Sequence, residues 1–126
     1  LIAELRAAGW RISPVFIVPL ARVKVQDEIG AALGARFTLM LLGERPGLGT
    51  LDSLGAYFTA DPAAERSDAD RNCVSNIRPE GIPPAMAAAK LAWLLEESSR
   101  LGLSGVHLKD GQAESAITHP APARLL

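Results

Sequence analysis

The chemistry that this chain offers begins with a lone thiol. Cys73 is the one cysteine among 126 residues, and it lies in the polar stretch Asp70-Arg71-Asn72-Cys73-Val74-Ser75-Asn76-Ile77. A nucleophilic cysteine needs a histidine brought close in the fold, and the chain has only His107 and His119. Because His119 falls in a C-terminal segment without periodicity, we expect Cys73 to be a small buried hydrophobic residue and not a nucleophile.

The polar side chains around Cys73 leave two interpretations open. Arg71, Asn72, Ser75 and Asn76 make this stretch more polar than a plain core strand. They indicate either a polar surface that meets a ligand or a partner, or a simple loop.

Glu44 is the second candidate, because it directly follows a strongly apolar run. It belongs to the loop Gly43-Glu44-Arg45-Pro46-Gly47-Leu48-Gly49. A carboxylate there could accept hydrogen bonds from amide groups of a large ligand, or it could be a structural acid paired with Arg45 or Arg71. The loop is neither GxGxxG nor a P-loop, since no Lys-Ser or Lys-Thr follows it. A dinucleotide or triphosphate site is therefore poorly supported.

The sequence predicts no metal site and no catalytic residue. It has no pair of cysteines and no His-x-x-x-His spacing. Asp68-Ala69-Asp70 is more typical of a solvated acidic loop than of a cation site.

Composition excludes two classes of partner. The net charge is −1 with an isoelectric point near 6.1, so no basic surface for nucleic acid is expected. The longest apolar run, residues 37–42, is far shorter than the roughly 20 residues of a membrane span. A single cysteine favours a reducing compartment, and we expect a cytoplasmic protein.

Periodicity predicts the elements that position these residues. Strands alternate with helices, and that order favours an α/β fold with a mainly parallel sheet. We expect helices over Leu1–Ala8, Asp27–Leu33 and Pro84–Glu97, and strands over Ile12–Val18, Arg36–Leu42, Leu54–Ala60 and Gly105–Leu108, with residues 61–72 a loop or broken helix. The chain opens inside a helix, so we interpret it as a fragment of a longer protein.

Helix 84–97 is expected to carry the core. Ala87, Leu91, Leu94 and Leu95 fall on one face of it. We interpret the face from Met86 to Trp93 as core, although Trp93 could instead face a partner subunit.

Four segments together resemble the light (small) subunit of ethanolamine ammonia-lyase, and they occur in the same order and spacing. The most specific are Gly43–Gly49, with the letters GERPGLG, and Arg71–Ile77, with RNCVSNI. The other two are Arg22–Gly30 and Gly102–Val106. The chain departs from the family pattern at Ala21, where a glycine is usual, and it lacks the upstream strand.

The resemblance implies a Rossmann-like three-layer domain, here N-terminally truncated. Residues 1–110 would form this cobalamin-binding domain without its first strand, and residues 111–126 would be an irregular tail. It further implies an adenosylcobalamin-dependent lyase that converts ethanolamine to acetaldehyde and ammonia. The partner would be the heavy subunit, in a hetero-oligomer that a bacterial microcompartment could house.

The same resemblance implies which residues contact the cofactor. Family contacts fall at positions matching Val23, Glu44 and Cys73, and we extend them to the neighbours Arg45 and Asn76. Glu44 would accept hydrogen bonds, Cys73 would be a small soft contact without ligating cobalt, and Val23 would pack or contact through its backbone.

Two other functions compete with this one. In a structural interaction domain, the glycine loop and the Cys73 segment would only bind a partner. A nucleotide-binding α/β domain would need a phosphate cradle that the sequence does not contain.

Overall fold

The computed structural model describes residues 1–44 and 52–108. Within them the chain forms three α-helices and three β-strands. The helices are α1 (Ile2–Ala7), α2 (Val25–Leu33) and α3 (Pro84–Leu101), and the strands are β1 (Phe37–Gly43), β2 (Leu54–Ala60) and β3 (Arg71–Ile77). One-turn 3-10 helices span Asp68–Asp70 and Gly105–His107.

The three strands form one antiparallel sheet in the order β1-β2-β3. Phe37 lies opposite Ala60 at one end of the β1–β2 pair, and Gly43 lies opposite Leu54 at the other. The connection from β2 to β3, residues 61–70, contains only the Asp68–Asp70 turn. Parallel neighbours need a long crossover, usually a helix, whereas antiparallel neighbours can be joined by a short one.

The predicted Rossmann-like three-layer domain with a mainly parallel sheet was therefore wrong. Part of the error lies in Ile12–Val18, which is irregular and has no strand partner among the described residues. Val15 is 73% exposed and Ile17 is 92% exposed. The run has the composition of a strand, but a strand exists only where a neighbour pairs with its backbone. The last predicted strand, Gly105–Leu108, is the 3-10 helix Gly105–His107.

The other predicted elements were confirmed. Helices α1, α2 and α3 and strands β1 and β2 lie within a few residues of their expected bounds. Gly34 and Gly102 end α2 and α3 with φ of 62° and 71°, a left-handed conformation that glycine adopts without strain. Strand β3 was not predicted, because its polar residues indicated either a loop or a polar surface. The division into residues 1–110 and 111–126 stays a prediction, because 109–126 lie outside the described residues.

Helix α3 covers one face of the sheet, which we call the α3 side. The predicted apolar stripe is buried there against Phe58 of β2. Trp93 is 6% exposed and belongs to this core, whereas Met86 is 65% exposed and does not. The core residues of α3 are Ala87, Leu91, Ala92, Trp93, Leu94 and Leu95.

Helix α2 packs on the opposite face, the α2 side. Successive strand residues point to opposite faces, so Thr59 lies on the α2 side and Phe58 on the α3 side. Arg71 of β3 lies opposite Thr59. Its guanidinium donates hydrogen bonds to both carboxylate oxygens of Asp27 in α2, at 2.7 and 2.8 Å. The side chains of Asp27 and Arg71 are 0% and 3% exposed, so this ion pair attaches the helix to the sheet from inside.

None of the helices in residues 1–44 and 52–108 is long and apolar enough to cross a membrane.

Replacing Arg71 with methionine measures how strongly the buried ion pair holds the fold. Arg71→Met leaves the Asp27 carboxylate buried beside Lys24 alone, so the free energy of unfolding should fall by about 3–5 kcal/mol. The double variant Asp27→Leu/Arg71→Met removes both charges and should recover most of that loss. Urea unfolding followed by circular dichroism measures both variants. Equal losses in the single and double variants would contradict this role of the charges.

Asp27 also links stability to pH. Burial alone would raise the pKa of Asp27, but hydrogen bonds and charge from Arg71 and Lys24 outweigh it and hold the pKa below its usual range. A lowered folded-state pKa contributes stability above the unfolded pKa, about 4, and that contribution is lost as the pH falls further. The stability difference between wild type and Asp27→Asn should be full at neutral pH and shrink below about pH 4. A difference that stays constant down to about pH 3 would show that the Asp27 charge does not matter.

Candidate functional site

Part of the α2 side is left open beyond the contacts of helix α2. The row of side chains next to the ion pair consists of Met40, Tyr57 and Cys73, and Tyr57 lies opposite the other two in the sheet register. Cys73 is exposed, whereas Met40 and Tyr57 are partly exposed. We call these three residues the open row.

Glu44 lies at the end of the sheet next to the open row. It follows the last residue of β1, and its backbone N–H donates to the carbonyl of Ser53 at 2.9 Å. Its carboxylate accepts two hydrogen bonds, from the Ser53 hydroxyl at 2.6 Å and from the backbone N–H of Asn76 at 2.9 Å. The carboxylate therefore links the end of β1 to Ser53, just before β2, and to Asn76 near the end of β3.

A bulge in β3 brings Asn76 within reach of Glu44. Leu54 lies opposite Ile77, but Ala56 lies opposite Val74, so β3 has one extra residue against β2 at this point. Asn76 takes a left-handed conformation with φ of 58°. This bend turns its N–H away from the ladder and toward Glu44, as bulges commonly do near sites.

The surroundings hold Glu44 ionised. The hydrogen bond from Ser53 and then that from the Asn76 backbone lower the pKa of Glu44, and the charge of Arg78 adds to them. A carboxylate can accept about four hydrogen bonds, and two are accounted for here. Glu44 is thus a charged acceptor with capacity for a ligand.

Cys73 is poorly suited to nucleophilic attack. Burial raises the pKa of its thiol, and the charge of Glu44 acts in the same direction, although a hydrogen bond with Tyr57 opposes them. Asn72, the preceding residue, contacts Gly105 beside His107, at 2.6 Å from the Gly105 N–H to Asn72 Oδ1. Because adjacent strand residues point to opposite faces, Cys73 points away from that side. The expectation of a small buried hydrophobic residue was wrong, because Cys73 is exposed at the surface of the sheet. Its role as a cofactor contact stays a prediction.

Val23 lies on the same face, two residues before α2. Its carbonyl accepts a hydrogen bond from Gln26 Nε2 at 3.1 Å, and Gln26 Oε1 accepts one from Thr38 of β1 at 3.0 Å. The described residues show no hydrogen bond from Val23 to Glu44 or Cys73. The structure therefore brings Glu44 and the Cys73 strand together, whereas Val23 is linked through Gln26 to Thr38, toward the other end of β1.

The structure describes only one of the two neighbours, Arg45 and Asn76, that were added to the site. Arg45 lies outside the described residues. Asn76 donates its N–H to Glu44, and its side-chain oxygen accepts a hydrogen bond from Arg78 Nε at 2.8 Å; its contact with a cofactor stays a prediction. Arg71, proposed as a possible partner of Glu44, pairs with Asp27 instead.

Asp68-Ala69-Asp70 forms a one-turn 3-10 helix, and both of its carboxylates have partners within the chain. Asp68 pairs with Arg71 at 3.2 Å, and Asp70 accepts the backbone N–H of Ser67 at 2.9 Å. Across residues 1–44 and 52–108 no group of acidic, cysteine and histidine side chains could hold a metal ion.

Sequence reasoning missed Ser53 and Tyr57. The alternation in Gly55-Ala56-Tyr57-Phe58 would place Tyr57 on the face away from the core, which was a usable signal. Its position opposite Cys73 could not be predicted, however, because β3 was not expected to be a strand.

Comparison with known proteins agrees with the resemblance seen in the sequence. The family model for the ethanolamine ammonia-lyase light chain (EutC) matches residues 1–109. The chain is 55% identical over 116 residues to the ethanolamine ammonia-lyase small subunit of Azotobacter vinelandii, which covers 92% of this chain and 43% of the relative. The corresponding subunit of Pseudomonas putida strain KT2440 is 56% identical over 82% of this chain and 38% of the relative.

A third relative extends the same picture. The ethanolamine ammonia-lyase small subunit of Pseudomonas paraeruginosa is 50% identical over 92% of this chain and 42% of its own length. The chain thus spans about two fifths of the curated relatives it matches. With a family model matching nearly all of its described residues, this chain belongs to the ethanolamine ammonia-lyase light chain family.

Proposed function

We propose that this chain is the cofactor-holding part of the small subunit of an ethanolamine ammonia-lyase. The enzyme would convert ethanolamine to acetaldehyde and ammonia together with a heavy subunit. This chain would contribute no catalytic residue of its own. The same proposal includes a cytoplasmic location and, more specifically, a bacterial microcompartment.

The observation that carries the proposal is the meeting of Glu44 with the Cys73 strand. Two segments that are far apart in sequence are joined by the hydrogen bond from the Asn76 N–H to Glu44, at 2.9 Å. They border one partly exposed surface that offers a charged acceptor, a thiol and a phenol. A surface of this kind suits a broad ligand with many amide side chains.

The residues present fit adenosylcobalamin in the donors and acceptors they offer. Glu44 has acceptor capacity left for the amide N–H groups of the corrin side chains. Cys73 is an exposed soft atom on the sheet, and Val23 borders the same face. When bound, the cofactor would supply the radical chemistry of the reaction, while these residues bind and orient it.

One observation favours a second function, the structural interaction domain. Both oxygens of Glu44 already accept internal hydrogen bonds, as a purely structural acid would. In that case the Glu44 segment would shape the end of the sheet for a partner, and cobalamin would bind elsewhere. Measuring stability and cofactor affinity on the same variants separates the two functions.

Glu44→Gln should weaken adenosylcobalamin binding in the assembled enzyme. Hydrogen bonds to a charged group contribute about 1.5–3 kcal/mol, so the Kd should rise by roughly tenfold or more. The measurement is a spectroscopic titration of the complete small subunit with its heavy subunit, and Glu28→Gln on the exposed side of α2 is the matched control. A Glu44→Gln enzyme that is less stable but binds the cofactor with unchanged affinity would favour the structural function.

The accessibility of the Cys73 thiol tests the proposed site in the wild-type enzyme, without a mutation. Because Cys73 is exposed, N-ethylmaleimide should alkylate it in the assembled apoenzyme, although slowly, since the raised pKa of the thiol leaves little thiolate. Bound adenosylcobalamin should slow that alkylation by about tenfold or more, since it would cover the sulfur atom. Peptide mass spectrometry follows the labelled residue. Equal labelling with and without cofactor would place cobalamin away from the open row.

A further inference from the structure

Tyr57 is the central residue of the open row, and the family resemblance assigns it no contact with the cofactor. It lies on the middle strand, opposite Met40 on one side and Cys73 on the other. Directly opposed residues of an antiparallel pair have their side chains on the same face. Tyr57 therefore stands on the α2 side between the two edge strands, next to the thiol that the proposed function assigns to the cofactor.

The side chain of Tyr57 extends toward Glu44 across Gly55. A Cβ atom at Gly55 would lie 3.1 Å from Tyr57 Cε2, 3.2 Å from the Tyr57 hydroxyl oxygen and 3.3 Å from Glu44 Oε1. The ring and the carboxylate thus approach the same point above the strand from two directions. A side chain at this position would crowd both groups, so Gly55 lets the Tyr57 ring and the Glu44 carboxylate approach each other without displacement.

The electrostatics agree with this placement. Burial raises the pKa of the Tyr57 hydroxyl, and the nearby Cys73 and Glu44 act in the same direction. The phenol therefore keeps its proton at neutral pH. In the free protein its partner is the Cys73 sulfur, a weak acceptor that an amide oxygen of a ligand can replace. Beside the phenol, Glu44 is a charged acceptor, so the surface presents a donor and an acceptor side by side.

We propose that Tyr57 is a further cofactor-contacting residue, whose ring forms the surface between Cys73 and Glu44 and whose hydroxyl donates a hydrogen bond to a side-chain amide oxygen of the corrin. This inference rests on the proposed function, because it assigns Tyr57 to the same ligand. A corrin side-chain amide carries both a carbonyl oxygen and an N–H₂ group. Tyr57 and Glu44 together would satisfy both kinds of atom.

Tyr57→Phe tests the hydroxyl in the assembled enzyme, because it keeps the ring. Loss of one neutral hydrogen bond should raise the Kd for adenosylcobalamin roughly three- to tenfold in a spectroscopic titration. Gly55→Ala removes no polar group but crowds the ring and the carboxylate, so it should also raise the Kd. Ser13→Ala, which deletes an exposed hydroxyl in the irregular segment before α2, is the control and should leave the Kd unchanged.

A measurement on the wild-type enzyme supports the variants. Tyr57 is the one tyrosine of the chain, so its acetylation by N-acetylimidazole can be followed by peptide mass spectrometry. Bound adenosylcobalamin should protect it. If Glu44→Gln weakens binding while Tyr57→Phe binds normally and acetylation is unprotected, the role of Tyr57 is overturned and the proposed function stands. If neither variant changes the affinity and neither Cys73 nor Tyr57 is protected, the proposed function fails as well.

Discussion

The buried ion pair between Asp27 and Arg71 is the interaction on which the remaining geometry depends. Two charges with almost no solvent access are stable only when each satisfies the other, and here both carboxylate oxygens receive a hydrogen bond from the guanidinium. The pair fixes α2 over one end of the three-stranded sheet. It thereby decides which part of that face α2 covers and which part, the open row, α2 leaves uncovered. It also fixes Val23, just before α2, beside the same face.

A second constraint operates at the other end of the sheet. The Glu44 carboxylate is held by Ser53 and by the Asn76 N–H, which the bulge in β3 and the left-handed Asn76 direct toward it. The cost of this irregular backbone is offset by a charge-assisted hydrogen bond. A group that holds strand ends together and also has acceptor capacity left can serve structure and ligand at once. The open row lies between these two anchors, the ion pair and the carboxylate.

The sequence predicted the local elements better than their assembly. Helix α3 and strands β1 and β2 follow from periodicity and from the proline and glycine at helix ends, which are local signals. Strand direction depends on long-range pairing, and β3 carries polar residues such as Arg71 whose partner on α2 cannot be read from the chain. Ile12–Val18 shows the converse, since its strand-like composition finds no pairing neighbour among the described residues. For the site, the family motifs indicated Glu44 and Cys73, whereas Tyr57 required the register.

The central claim is that the open row and Glu44 form one wall of a cobalamin site. The most direct measurement is a cryo-electron microscopy or crystal structure of the complete small subunit assembled with its heavy subunit and adenosylcobalamin. We expect the corrin to touch the Cys73 side chain and a corrin amide to lie within hydrogen-bond distance of Glu44, roughly 3 Å. A corrin bound elsewhere, with the open row facing solvent or only protein, would contradict the claim.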